Sequence, residues 1–195
     1  MKRATKTQGI LAQIIMKLLL HACCAPDTTT PYQRLKDEHE LTCLFYNPNI
    51  DEKDEYEKRR REVEKLSRLW DFDFLELDYG VDKWKKAVEG LEQEPEGERR
   101  CWVCYRLRLE MTAKLAKKLG YDGFATTLTI SPHKKAEKIN AIGKALAEKY
   151  GITYLESDFK KKDGFKESIE WSKKLRLYRQ NYCGCSFSKK RFSGK

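Results

Sequence analysis

The run Lys17-Leu-Leu-Leu-His-Ala-Cys-Cys-Ala-Pro-Asp27 (KLLLHACCAPD) is a short apolar stretch that stops abruptly in two adjacent cysteines. Leu18, Leu19 and Leu20 between polar ends are too few for a free-standing helix, and read as a buried strand bounded by Pro26. A strand that ends in thiols places them at its rim. Two further pairs, Cys101 and Cys104 in CWVC and Cys183 and Cys185 in CGC, sit in polar, turn-like contexts far along the chain. Three pairs separated by long stretches without a paired cysteine suggest one site assembled by the fold. Cys43, alone in LTCLFY, reads as a small buried hydrophobe.

Outward from this strand, β-type runs alternate with helical periodicity. Thr28 to Glu38 reads as a helix with threonine caps and Pro31 near its first turn, and Leu41 to Tyr46 as a second strand closed by Asn47-Pro48-Asn49. Asp51 to Trp70 carries Tyr56, Val63, Leu66 and Trp70 at helical spacing. Phe72 to Leu77 is a third strand, Val81 to Gln93 a shorter helix, and Glu94 to Arg100 an acidic loop. Cys101 to Lys118 reads as a helix that opens with CWVC, followed by strand Gly123 to Leu128, helix His133 to Tyr150, strand Ile152 to Leu155 and helix Phe165 to Leu177.

This alternation predicts parallel strands joined by right-handed crossovers, hence a single-domain doubly wound α/β sheet of about five strands over residues 17–188. A basic arm (1–16) precedes it and a basic tail (189–195) follows. HACCAPD, YNPN, LDYG, TISPH and ESDFKK each follow a strand, at the carboxyl rim where open α/β sheets bind ligands.

A chain of 195 residues is long enough to bury a core without covalent staples. Forty Lys and Arg against 30 Asp and Glu give a net charge of +10, which favours a polyanionic partner such as nucleic acid over a merely solvated surface. The high Lys and Glu content resembles hyperthermophile usage, where intracellular disulfides occur, so the cysteines alone leave both compartment and disulfides open. Lys2 and Arg3 followed by Ile10 to Leu20 imitate an export signal. Gln13 and Lys17 interrupt that run, and His21 stands where a small residue is expected before a processing site. No stretch approaches the roughly 18 apolar residues of a membrane span. The expectation is a cytoplasmic protein, with Met16 a candidate start.

The loop after the first strand holds neither G-x-G-x-x-G nor G-x-x-x-x-G-K-[ST], so a standard dinucleotide or P-loop reading fails. Cysteine-only sites point to zinc or to iron–sulfur clusters, and C-x-x-C at a helix start suits either, because a helix N-terminus lowers thiol pKa. A closed structural zinc site needs four ligands. Here six paired cysteines plus Asp27 stand ready, which suggests a cluster with two redox thiols or a cluster beside a second metal. His21 and His133 lie at the rim, either as hydrogen-bonded structural groups or as catalytic ones. Asn47 and Asn49 form the turn or contact substrate, and Ser131 caps the next helix or contacts substrate. Arg179 within YRQNY either clamps a nucleotide together with the neighbouring tyrosines or packs the tail.

HACCAPD, FYNPNI, EGLEQEPEGERRCWVCYRLRLE, TTLTISPHK and LYRQNYCGCSFS, in this order and spacing, resemble the QueH family of epoxyqueuosine reductases over about Lys17 to Ser188. The resemblance implies reduction of the epoxide of epoxyqueuosine at the tRNA wobble position to an alkene, with electrons from an external donor. It also implies a fold akin to the HUP group, with the ATP-binding loop replaced by the cysteine segment, and a [4Fe-4S] cluster beside a mononuclear metal, iron being the expected one. Many members carry cysteine where this chain has Asp27, a harder ligand suited to a single divalent ion and here the candidate catalytic residue. A cubane takes about four ligands, so two centres are expected. In that division Cys101 and Cys104, with at least one of Cys23 and Cys24, hold the cluster, and Asp27, Cys183 and Cys185 lie at the second metal. Asn47, Asn49, Ser131, His133 and Arg179 are the expected substrate contacts. A non-catalytic, zinc-stabilised RNA-binding module is the alternative.

Overall fold

Leu18, Leu19 and Leu20 are fully buried because the strand they form, β1 (Lys17–His21), runs down the middle of the sheet. The computed structural model describes residues 15–190, so most of the expected basic arm and the end of the basic tail lie outside the described residues. β1 pairs in parallel with β2 (Glu40–Phe45) on one side and β4 (Gly123–Thr126) on the other. β3 (Asp73–Glu76) and β5 (Thr153–Tyr154) complete a five-stranded parallel sheet of order β3-β2-β1-β4-β5. The expected doubly wound architecture is therefore present. The order reverses between β1 and β4, and the crevice there receives whatever follows β1.

Alternation along β1 feeds two cores. Leu18 and Leu20 join a cluster with Tyr32 and Leu35 of α1 (Ala25–Leu35) and Tyr56, Val63 and Leu66 of α2 (Lys53–Trp70). Leu19 faces the opposite layer, α4 (Arg99–Lys118) and α5 (Ala136–Tyr150), through Leu109, Ala113, Ile139 and Leu146. Cys43, paired with Leu20 and Phe74 in the sheet register, is fully buried in the first core, and desolvation pushes its thiol far above the usual range. α3 (Val81–Ala87) is shorter than the sequence pattern implied, and α6 (Gly164–Lys174) packs against α1.

Two helix starts differ from expectation, and both matter to the site. α1 begins at Ala25, not Thr28: Cys24 is its extended N-cap and Pro26 lies in the first turn, where its missing N–H has no helical partner to lose. Thr28 and Thr29 do not cap; they are buried and donate to the carbonyls of Cys24 and Pro26. Asp27 thus sits in the first helical turn beside the two cysteines. α4 begins at Arg99, two residues before CWVC, which brings Cys101 and Cys104 inside its first two turns.

The C-terminal segment is strapped across the start of α2. Arg59, 2% exposed and paired with Glu55 at 2.7 Å, donates to the carbonyls of Cys183 and Tyr182. Asp51 accepts from the backbone N–H and the hydroxyl of Ser186, which opens α7 (Ser186–Lys190). Gly184, between the two cysteines, has φ +124°, and a Cβ there would meet Ile50 Cγ1 at 2.8 Å and Arg59 Nη1 at 3.2 Å. Backbone strain and collision act together at this position. Gly184→Ala should lower stability by about 2 kcal/mol or more. It should also speed tryptic cleavage within residues 178–190, whereas Gly90→Ala, at φ +77° but with nothing within 4 Å of its Cβ, should leave that cleavage rate unchanged because its strain is not in the tail.

Candidate metal and substrate site

Neighbouring side chains on an extended strand diverge, yet Cys23 and Cys24 stand where extended chain turns into helix, and their sulfurs converge. With Asp27 they form a group whose ligand atoms all lie within 4.8 Å of one another, the one such group among the described residues. The Cys23 thiol donates to Asp27 Oδ2 at 3.3 Å and accepts from Thr127 Oγ1 at 3.2 Å, while Gln180 Nε2 donates to Cys24 Sγ at 2.9 Å. Thr127 belongs to the 3-10 turn Thr127–Ile130 that follows β4, and its hydroxyl also accepts from the Cys23 N–H. Two sulfurs and a carboxylate oxygen this close suit one ion, since ligands about 2.0–2.3 Å from a tetrahedral metal lie about 4 Å apart. The hydrogen bond that the Cys23 thiol gives to Cys24, then burial, then the charges of Cys24 and Asp27 push the Cys23 thiol well above its usual range, with Lys134 opposing. A bound cation is what would make these groups ionise together.

Cys101 and Cys104 meet Cys183 and Cys185 around a second, smaller cavity that Asn49, Trp84 and Glu96 also line. Its buried Asn49 Oδ1 and Trp84 Nε1 have no hydrogen-bond partner. Burial pushes the Cys104 thiol up to about 12, with Cys183, Cys185 and Cys101 adding to the rise and Arg108 opposing it. The lowered thiol pKa expected of a helix start is thus reversed: at Cys101 burial outweighs the Gly97 N–H and Arg100. No three of these four sulfurs converge as tightly as the first group, which suits four corners of a cluster better than one ion. The donor chemistry fits an iron–sulfur cluster here and a mononuclear ion at the first group. The tail cysteines thus lie beside the α4 pair, and Cys183 also lines the cavity that Cys23 and Asp27 border.

Both groups border a larger cavity of about 420 Å³, within the range of small-ligand sites. Cys23, Asp27 and Cys183 line it together with Ser131, His133, Lys134, Phe165 and Arg179. Arg59, Arg108, Lys134 and Arg179 outnumber the acidic lining residues Asp27 and Glu96. Arg179 lies over the Phe165 ring at 5.0 Å, and its Nη1, like Arg108 Nη2 and Gln180 Oε1, is buried without a hydrogen-bond partner. Of the five expected substrate contacts, Ser131, His133 and Arg179 line this cavity.

Three other candidates are placed elsewhere. Asn47 is 1% exposed and outside the cavity lining; its Nδ2 donates to Ala22 O and its Oδ1 accepts from Arg108. Asn49 borders the four-cysteine cavity. His21 is fully buried between Thr126 Oγ1 and Tyr46 O, and burial, helped by Arg108, lowers its pKa to about 3, so it is a neutral structural group. All seven cysteines are free in this structure. Sequence reasoning missed Arg59, Arg108, Lys134 and Gln180. The available signals were an arginine four residues after Cys104 on an otherwise apolar helix face and a lysine directly after TISPH.

Comparisons with known proteins place the chain in a family. The chain is 41% identical over 179 residues to the epoxyqueuosine reductase QueH of Streptococcus pyogenes serotype M1, covering 89% of this chain and 70% of that protein. It is 41% identical over 174 residues to the epoxyqueuosine reductase QueH of Thermotoga maritima, covering 88% and 89%. Among solved structures, the U34-tRNA thiolase NcsA from Methanococcus maripaludis with its [4Fe-4S] cluster matches with a TM-score of 0.59 over 95% of this chain and 67% of that one. At 13% identity this likeness concerns the fold. The profile of the family described as Epoxyqueuosine reductase QueH matches residues 18–191. The chain belongs to the QueH family of epoxyqueuosine reductases.

Proposed function

We propose that this chain reduces the epoxide of epoxyqueuosine in tRNA, with a [4Fe-4S] cluster on Cys101, Cys104, Cys183 and Cys185 and a mononuclear iron on Cys23, Cys24 and Asp27. The observation that carries this reading is that Cys23 and Asp27 of one group and Cys183 of the other line the same 420 Å³ cavity. Removing an epoxide oxygen to leave an alkene takes two electrons and two protons and releases water. The electrons come from an external low-potential donor. When bound, the metals supply one-electron transfer and Lewis-acid polarisation of the oxygen.

The protein's own groups bind and orient. Phe165 and Arg179 offer a face and a buried N–H to a planar, polar base, and Ser131 and His133 border the same space. Thr127 and Gln180 fix the sulfurs of Cys23 and Cys24. Burial lowers the proton affinity of the Lys134 amine, but Cys183, Cys23 and Asp27 more than reverse this, so Nζ keeps its proton at the wall of the cavity that Lys134 lines. The +10 charge suits a tRNA partner, and no helix among the described residues is long and apolar enough to cross a membrane. A zinc-stabilised module gives no role to ligands beyond the four of a closed zinc site.

Anaerobic iron and sulfide analysis tests the assignment. Cys101→Ala or Cys104→Ala should abolish the visible iron–sulfur absorption, and Cys43→Ala should retain it. Asp27→Ala should keep that absorption while losing one iron equivalent and epoxide reduction. Wild-type protein that takes up only zinc after iron-replete anaerobic expression would contradict the proposal. Affinity for tRNA should fall with salt, with a log–log slope of roughly −0.7 to −0.9 per phosphate neutralised. A flat response would remove the electrostatic argument.

A further inference from the structure

Arg108 lies one helical turn beyond Cys104 on α4 and is 1% exposed. Its Nε donates to the Cys104 carbonyl at 3.4 Å and its Nη1 to Asn47 Oδ1 at 3.3 Å, while Nη2 is buried without a partner. Both partners are neutral. No carboxylate forms an ion pair with this guanidinium among the described residues, in contrast to Arg59, equally buried but held by Glu55 at 2.7 Å.

A guanidinium does not shed its proton, so a buried one without an opposite charge destabilises a fold by several kcal/mol. Asp27 and Glu96 line the same cavity as Arg108, but the groups that bear most on this guanidinium are sulfurs. Arg108 lines the larger cavity with Cys23 and Cys183 and is bonded to the backbone of Cys104, so it stands between the two thiol groups. The thiols that act most strongly on it are Cys104, Cys183 and Cys23. Protonated, they are neutral and leave the cation uncompensated. As metal-bound thiolates they carry the missing charge.

We propose that Arg108 is the resident counter-ion of the metal–thiolate centres, unbalanced in the metal-free protein and balanced in the loaded one, where its charge favours uptake of an electron. The assignment rests on the metal-bearing reading above. It also gives Asn47 a role: anchored through Nδ2 to Ala22 O, it holds the guanidinium in place as a positioning residue.

The test compares wild type, Arg108→Gln and Arg108→Lys, each metal-free under reductant and each reconstituted anaerobically with iron and sulfide. Metal-free Arg108→Gln should melt at or above the wild-type temperature. Loaded Arg108→Gln should show a more negative cluster midpoint in a potentiometric titration and lose iron to a chelator about tenfold faster or more, with Arg108→Lys close to wild type in both. A merely structural arginine would give the opposite first result, a metal-free variant destabilised as much as the loaded one, and that outcome overturns the proposal. A loaded wild type whose midpoint and iron retention are matched by Arg108→Gln overturns this assignment alone. Wild-type protein that takes up no iron overturns both it and the reading on which it rests.

Discussion

The site depends on where β1 is allowed to end. Parallel pairing on both sides holds the strand through His21, and the last sheet-like bond, Ala22 N–H to Leu44 O, leaves Cys23 as the first residue free of the ladder. Its N–H goes instead to the Thr127 hydroxyl, and the next residue caps α1. Three short-range requirements therefore fix two sulfurs at the reversal point of the sheet: an apolar strand, a hydroxyl just past β4, and a proline in the first helical turn. Asp27 is brought to this fixed point by the helix turn, while α4 and the strapped tail bring the other paired cysteines together around the neighbouring smaller cavity.

Electrostatics then divides the rim. Buried arginines with carboxylate partners serve architecture, as Arg59 does in holding the carbonyls of Tyr182 and Cys183. Cations left without such partners face the sulfurs and the larger cavity, as Arg108 and Lys134 do. The same residue type thus has two roles that composition alone cannot separate.

Much of this was legible in the sequence because period and punctuation are local. The five strands, the C-x-x-C helix and the β1 rim follow from apolar runs, spacing and proline placement. What was not legible depends on tertiary packing. The entry into α1 was read three residues late because threonines are good caps in isolation, yet here Thr28, Thr29 and Thr30 are fully buried. The position of the tail cysteines was not legible because nothing local to CGC says that Asp51 and Arg59 carry it toward α4. Asn47 resembled a substrate contact since asparagine after a strand commonly faces ligand, whereas its amide joins Ala22 to Arg108.

The docked tail has a consequence for the order in which the protein matures. Two of the four cysteines around the smaller cavity follow α6 and the other two open α4, so that group cannot close until everything between them has been made. A metal held there would join α4 to the tail across a loop of roughly 80 residues, a constraint that by loop-closure reasoning is worth about 4 kcal/mol against the unfolded chain. Such a metal would act as a molecular clasp on a tail that Arg59 and Asp51 already hold in place.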